Sequence, residues 1–282
     1  MAYLSAAWHG MLDYGWRIVY ASMALFVLEW VIGRNRYSLA SRVRAAGFWI
    51  VYIVITVGAL TVFQQLWPRL GVTPLFHLHL GGLAASHDHY LQIAGWILAP
   101  IVAVAIGDFF YYWFHRAQHT FPILWAFHSE HHALREMSAW NSNHHFSEEI
   151  LRIPFVVIPM SLLIGVDAGY APALVWLLIG VHGQYVHSHT RLHFGPFRRL
   201  IADNRFHRIH HSLERQHWNR NYGSFTPVWD TLFRTAHFPR KDEWPDTGIE
   251  EHDEAKSLRE FLFRPFTKIV RPGASVRTSS PR

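Results

Sequence analysis

The chain contains no cysteine. That absence removes disulfides, thiolate-ligated haem, iron–sulfur clusters and cysteine–zinc sites together, so any metal must be held by nitrogen and oxygen. Charge is scarce as well: 16% of the 282 residues are charged, against 50% hydrophobic and 16% aromatic. This is the balance of a membrane protein. The mean hydropathy is barely positive, so a substantial polar portion lies beside the apolar spans. No HExxH occurs, which deprives a membrane zinc hydrolase of its usual ligand pair and general base. No flavin or nicotinamide motif is recognisable, and no repeat of solenoid period is present. Residues 1–14 lack the basic start of a cleavable signal, and the apolar run after them is of spanning length; the first segment is expected to stay in the membrane. The net charge of +6 is scattered over helix ends and the tail, a pattern suited to anionic lipid headgroups and not to nucleic acid.

Apolar stretches of spanning length run over Tyr14–Ile32, Phe48–Trp67 and Ile93–Phe114, each with Trp or Tyr near an end. A fourth apolar region, Ile150–Val186, is interrupted by Gly165-Val-Asp-Ala-Gly169 and reads as a hairpin of two shorter helices. The pattern predicts an all-α bundle of about four to five transmembrane or membrane-embedded helices with a cytoplasmic helical cap. Arg34, Arg36, Arg42 and Arg44 put the first connection in the cytoplasm, and alternation from there brings every major histidine cluster to that same side. The connection Pro68–Gln92 falls outside, where His77, His79, His87 and His89 read as ordinary loop residues. Three regions follow: 1–92 with the first spans, 93–240 as a catalytic region, and 241–282 as a cytoplasmic segment whose end has a disorder-like composition.

Fourteen of the 22 histidines lie between His115 and His211. His115-x-x-x-His119, His128-x-x-His131-His132 and His207-x-x-His210-His211 have the spacing that puts imidazoles on one helical face. Within each HxxHH the adjacent pair diverges by about 100°, which suits two neighbouring metals. Eight imidazoles exceed the needs of one ion, so a dinuclear centre is expected, and neutral imidazole suits iron, zinc, copper or nickel. His187 follows the hairpin and can join the cluster; His182 lies roughly 140° round a helix from it, so both cannot face one point equally, and His182 is a candidate for a further ligand or a supporting role. Of His144 and His145, His145 is the better candidate for a further ligand or a supporting role. Asp108, Glu130, Glu148 and Asp230 are candidates to hold the outer N–H of a metal-bound ring. His189, His193, His217, His237 and His252 are left outside the site.

The stretch Asp108-Phe-Phe-Tyr-Tyr-Trp-Phe-His115-Arg-Ala-Gln-His119, the cluster His128-Ser-Glu-His-His132, the run from His187-Ser-His-Thr through Gly195-Pro196 to His207-Arg-Ile-His-His211, and the later Asn221-Tyr222-Gly223 and Trp229-Asp230 resemble the fatty acid hydroxylase/sterol desaturase superfamily. The resemblance covers about residues 100–238. It implies an integral-membrane, all-histidine di-iron oxygenase that hydroxylates or desaturates a lipid with O2. By position, His115, His119, His128, His131, His132, His207, His210 and His211 look like the family ligands, and His187 matches a further family histidine. His145-Phe-Ser-Glu148 stands where many members carry His-Pro-x-Glu, and His189 stands where asparagine is common.

The expected reaction is hydroxylation of a lipid C–H bond, with desaturation as the related outcome; two iron ions are the expected cofactors, and zinc can occupy such a site in purified material. Two electrons per turnover must come from a separate donor, a reductase with a ferredoxin or a cytochrome b5-like carrier. The expected setting is the inner membrane of a bacterium or the endoplasmic reticulum of a eukaryote. The competing classes are a metal- or haem-binding or transport protein and a zinc-dependent intramembrane hydrolase.

Overall fold

The computed structural model describes residues 2–33, 37–78, 86–166 and 177–270. Three long helices dominate: α1 (Ala2–Ile32), α2 (Leu39–Leu66) and α3 (His89–Thr120). With 31, 28 and 32 residues each exceeds the length needed to cross a hydrocarbon core of about 30 Å at about 1.5 Å rise per residue. Their most apolar stretches are only 28%, 17% and 24% buried within the protein, so most of that apolar surface faces outward, as a lipid solvent requires. Among the described residues these are the three helices long and apolar enough to span.

Caps fix where the long helices begin. Ser38 Oγ accepts the Ser41 N–H at the start of α2, and Asp88 Oδ1 accepts the N–H groups of Tyr90 and Leu91 at the start of α3. Beyond the spans the chain folds into short helices: α4 (Pro122–His132), α5 (Phe146–Arg152), α6 (Ile158–Leu163), α7 (His182–Tyr185), α8 (Asn204–His210), α9 (Val228–Leu232) and α10 (Leu258–Val270). A π-turn over Ile153–Val157 joins α5 to α6, and another over Leu177–Val181 leads into α7.

The region expected as a helical hairpin is thus built from α5 through α7, and part of its turn, including Asp167 and Gly169, lies outside the described residues. One feature departs from an all-helical reading. Ile164–Val166 (β2) pairs in parallel with Phe76–Leu78 (β1), so the hairpin's tip meets the connection between α2 and α3. Gly165 permits the approach, since a Cβ there would lie 2.7 Å from the Pro74 ring.

The short helices are fastened to the ends of α1 and α2. Trp49 Nε1 donates to the Trp140 carbonyl at 2.8 Å while Trp140 Nε1 donates to the Arg42 carbonyl at 2.9 Å. Glu29 near the end of α1 accepts the Ala139 N–H at 2.9 Å, and Ser38 donates both its N–H and its hydroxyl to Glu136. Leu25 of α1 packs with Ala139, Tyr185, Val186, Ala202 and Phe206, a buried cluster that seats α7 and α8 against the span. On the other flank Phe261 of α10 stacks on Phe48 of α2, with centroids 4.3 Å apart.

Candidate metal centre

Proline sets the geometry of the first two histidine segments. Phe121, preceding Pro122, is forced to extended backbone (φ −98°, ψ 120°), which ends α3 after Thr120, and Pro122 then opens α4 in the first-turn position where its missing N–H costs nothing. The chain turns back, and the rings of α4 face those at the end of α3. Asp203 caps α8 by accepting the Phe206 N–H at 2.9 Å, and α8 brings His207, His210 and the following His211 to the same point. His187 arrives just after α7.

The eight histidines singled out by spacing and His187 come together, in two groups within which the nearest ring nitrogens lie no more than 4.8 Å apart. His115, His119, His128, His132 and His210 form one; His131, His187, His207 and His211 form the other. Each HxxHH is split between the groups, as the divergence of adjacent residues on a helix demands. The groups adjoin: the His132 and His211 rings stack at 4.3 Å, and His128 meets His131 at 5.5 Å. Eight of the nine are buried, and His119 is partly so.

The outer nitrogens decide what the inner ones can do. A carbonyl or carboxylate oxygen only accepts, so a ring nitrogen facing one must carry the proton. His115 Nδ1 donates to the Tyr222 carbonyl at 2.6 Å, His131 Nδ1 to that of Asn143 at 3.0 Å, His187 Nδ1 to that of Gly183 at 2.7 Å and His210 Nδ1 to that of Arg220 at 2.7 Å. His128 Nδ1 donates to Glu148 Oε2 at 2.9 Å. In the neutral ring each of these five Nε2 atoms is then a bare lone pair. Yet His115 Nε2 lies 2.9 Å from His128 Nε2, and His187 Nε2 lies 3.2 Å from His131 Nε2. Two lone pairs at that distance repel unless a proton or a cation lies between them. A proton is disfavoured, because burial first and neighbouring imidazoles second push His131, His132, His207 and His211 well below the ordinary histidine range. Burial brings His210 down to about 3 against the opposing effect of the Arg220 carbonyl, and lowers His128 against the pull of Glu148. Convergent, neutral, buried nitrogen donors are what a borderline transition metal takes. His119 Nε2 and His210 Nε2 are also buried without a hydrogen-bond partner, so the residues fit a metal centre.

The carboxylates divide by position. Glu148 touches the cluster directly, accepting from His128 Nδ1, from Gln118 Nε2 at 2.7 Å and from His144 Nδ1 at 3.2 Å. Burial opposes its charge, but His128 and His144 hold its carboxyl well below the usual carboxylate range. Asp108, two turns before His115, accepts the N–H groups of Ser224, Phe225 and Thr226, and Asp230 accepts those of Tyr222 and Gly223. Both act at one remove, shaping the loop whose Tyr222 carbonyl orients His115. Gly223 is required inside that loop: an added Cβ would sit 2.5 Å from the Thr226 carbonyl and 3.0 Å from Asp230 Oδ2.

Three of the secondary candidates point elsewhere. His145 caps α5, its Nδ1 2.7 Å from Ser147 Oγ, and its Nε2 reaches the Leu262 carbonyl at 3.3 Å. His182 Nε2 donates to the Ala202 carbonyl at 2.8 Å. Glu130 turns to the opposite face of α4, with Lys268 Nζ at 2.9 Å and Arg264 at 3.3 Å. In place of His145 the site has His144, whose ring stacks on His131 with centroids 3.7 Å apart. Its signal was present in the sequence as the i,i+4 pair His144/Glu148 across the start of α5.

An apolar helical bundle carrying a largely buried cluster of nine imidazoles defines a membrane-type protein with an all-nitrogen site that could hold metal. Residues 100–235, which hold the entire cluster, match the model of the family described as fatty acid hydroxylase. An ornithine lipid hydroxylase of Rhizobium tropici is 31% identical over 192 residues, covering 66% of this chain and 56% of that protein. Human alkylglycerol monooxygenase is 30% identical over 128 residues, 45% of this chain and 28% of the relative. The matched regions thus span from about a quarter to about half the length of these relatives. No solved structure matches the chain.

Proposed function

We propose that the protein is a membrane-embedded di-iron monooxygenase that hydroxylates a lipid C–H bond. The observation that carries this reading is the pair of adjoining imidazole groups, five and four rings, with inward lone pairs fixed by outward hydrogen bonds. Its support from relatives lies in their names: one is a hydroxylase of an ornithine lipid, the other a monooxygenase of alkylglycerols. Both names denote oxygen insertion, which favours hydroxylation over desaturation.

In the overall reaction one atom of O2 enters the lipid C–H bond, the other leaves as water, and two electrons and two protons are consumed. Bound iron would supply the oxidising power to break an unactivated C–H bond. The chain's own residues supply the rest. His115, His119, His128, His132 and His210 would hold one ion, and His131, His187, His207 and His211 the other. The carbonyls of Tyr222, Asn143, Gly183 and Arg220 and the Glu148 carboxylate keep five Nε2 atoms aimed inward, so little reorganisation is needed on binding. Burial excludes water, which protects the lipid reaction from side reactions. Trp125 against His119 and His132, at 5.0 and 5.3 Å, adds an apolar wall. With no cysteine for an iron–sulfur relay, the electrons come from a separate reductase and a ferredoxin or cytochrome b5-like carrier, on the cytoplasmic side.

The test is a lipid-mass comparison under 18O2 in cells with the wild-type chain, H131A or H210A, one histidine from each group. The wild type should produce a lipid 18 mass units heavier than its precursor, and both variants should lose it. Product formed equally by both variants would remove the reading, and a loss of two mass units would convert it to desaturation.

A further inference from the structure

A third cluster of ligand-type side chains lies apart from the two imidazole groups. His217 ends a 3-10 turn over Arg215–His217, and His237 and Glu243 come from the segment after α9. His217 Nε2 lies 3.0 Å from Glu243 Oε1, and His237 Nε2 lies 3.3 Å from the same oxygen and 3.4 Å from Oε2. In a tetrahedral zinc site with bonds of about 2.0–2.1 Å, ligand atoms are about 3.3 Å apart. Both imidazole nitrogens are thus already at about that edge length from Glu243, and all three donor atoms lie within 4.8 Å of one another. His217 is fully buried, with its Nδ1 2.8 Å from Ser212 Oγ, the outer support usual for a metal-bound ring. The His237 and Glu243 side chains are 32% and 18% exposed, which leaves the fourth corner open to solvent.

We propose that His217, His237 and Glu243 form a mononuclear zinc site separate from the lipid-oxidising centre. Two imidazoles and one carboxylate are a known donor set for zinc, and the borderline N2O chemistry disfavours calcium and magnesium. Such an ion would tie the segment 236–244 to the chain immediately after His211. Ser212 makes that link, since its hydroxyl faces His217 while it follows the last histidine of the second group. The competing account is a hydrogen-bonded triad in which both rings donate to Glu243 and no metal binds.

Total metal per chain, iron plus zinc by mass spectrometry, separates the two in the purified full-length protein. The wild type should carry one equivalent more than Glu243→Gln and one more than His237→Ala, while H210A keeps the equivalent at this site whatever happens at the main centre. Zinc added after chelation should raise the unfolding temperature of the wild type by more than that of Glu243→Gln, in which only the main centre can refill. Equal metal content in the wild type and both variants would overturn the proposal, with His237→Ala, at a half-buried position, guarding against a folding defect in the other.

Discussion

Glu148 offers the sharpest test of how the imidazoles are oriented. Its buried carboxylate accepts from His128 Nδ1 at 2.9 Å, Gln118 Nε2 at 2.7 Å and His144 Nδ1 at 3.2 Å, so one substitution releases three donors. Glu148→Ala frees the His128 ring to rotate or change tautomer, and His128 Nε2 sits between His115 Nε2 at 2.9 Å and His132 Nε2 at 3.1 Å. Loss of such an outer partner typically weakens metal affinity by about 10–100-fold, or about 1.4–2.7 kcal/mol. The stranded buried donors would add a folding cost of about 1–3 kcal/mol each where water cannot reach them. Chelator competition on purified protein measures the affinity, with circular dichroism as the check that the helices persist. Glu148→Gln should fall in between in folding stability, because all three donors meet the single oxygen Oε2, where an amide oxygen still accepts but without the carboxylate's charge. A Glu148→Ala protein with metal affinity within about twofold of the wild type would refute the idea that this carboxylate fixes the His128 lone pair.

Acid should unfold the metal-free protein early. His210 is lowered to about 3, and His131, His132, His207 and His211 are lowered too. The unfolded chain therefore binds protons near the ordinary histidine pKa of about 6.5 while the folded chain does not, so stability is present above that pH and is lost as pH falls toward 3; a flat denaturation midpoint from pH 7 to 4 would contradict this. Gly223→Ala forces a Cβ to within 2.5 Å of the Thr226 carbonyl, which should cost about 1–3 kcal/mol and loosen His115, read as lower metal content and unfolding temperature together. Glu130→Ala should do the opposite at the metal: breaking the buried contacts to Lys268 and Arg264 costs about 3–5 kcal/mol, visible in the denaturant midpoint, while metal per folded chain stays constant. Metal loss at wild-type stability would place Glu130 in the centre instead.

What was legible in the sequence is what helical periodicity and hydropathy encode. Three apolar runs announced α1 to α3, and the spacing within 115–119, 128–132 and 207–211 grouped the rings without any knowledge of tertiary structure, because i, i+3 and i+4 share a face. The split of each HxxHH between two groups follows from the same geometry. The outer acceptors were not legible: Tyr222, Asn143, Gly183 and Arg220 act through backbone carbonyls, to which the side chain's identity is irrelevant. His145 was favoured over His144 and is turned away because the start of α5 uses it as a cap. Glu130, between His128 and His131 in sequence, faces the far side of α4, where the distant Lys268 and Arg264 reveal its role. The β1–β2 pairing was likewise hidden, since three-residue strands leave no periodic signal.

The central claim is that nine histidines hold two metal ions in two adjoining groups. Iron per chain in protein produced with iron in excess and zinc withheld tests it most directly, compared across the wild type, His115→Ala and His207→Ala. The wild type should hold two irons and each variant should lose iron, from the five-ring group in the first and from the four-ring group in the second. A wild-type protein that saturates at one iron, or binds none, would contradict it.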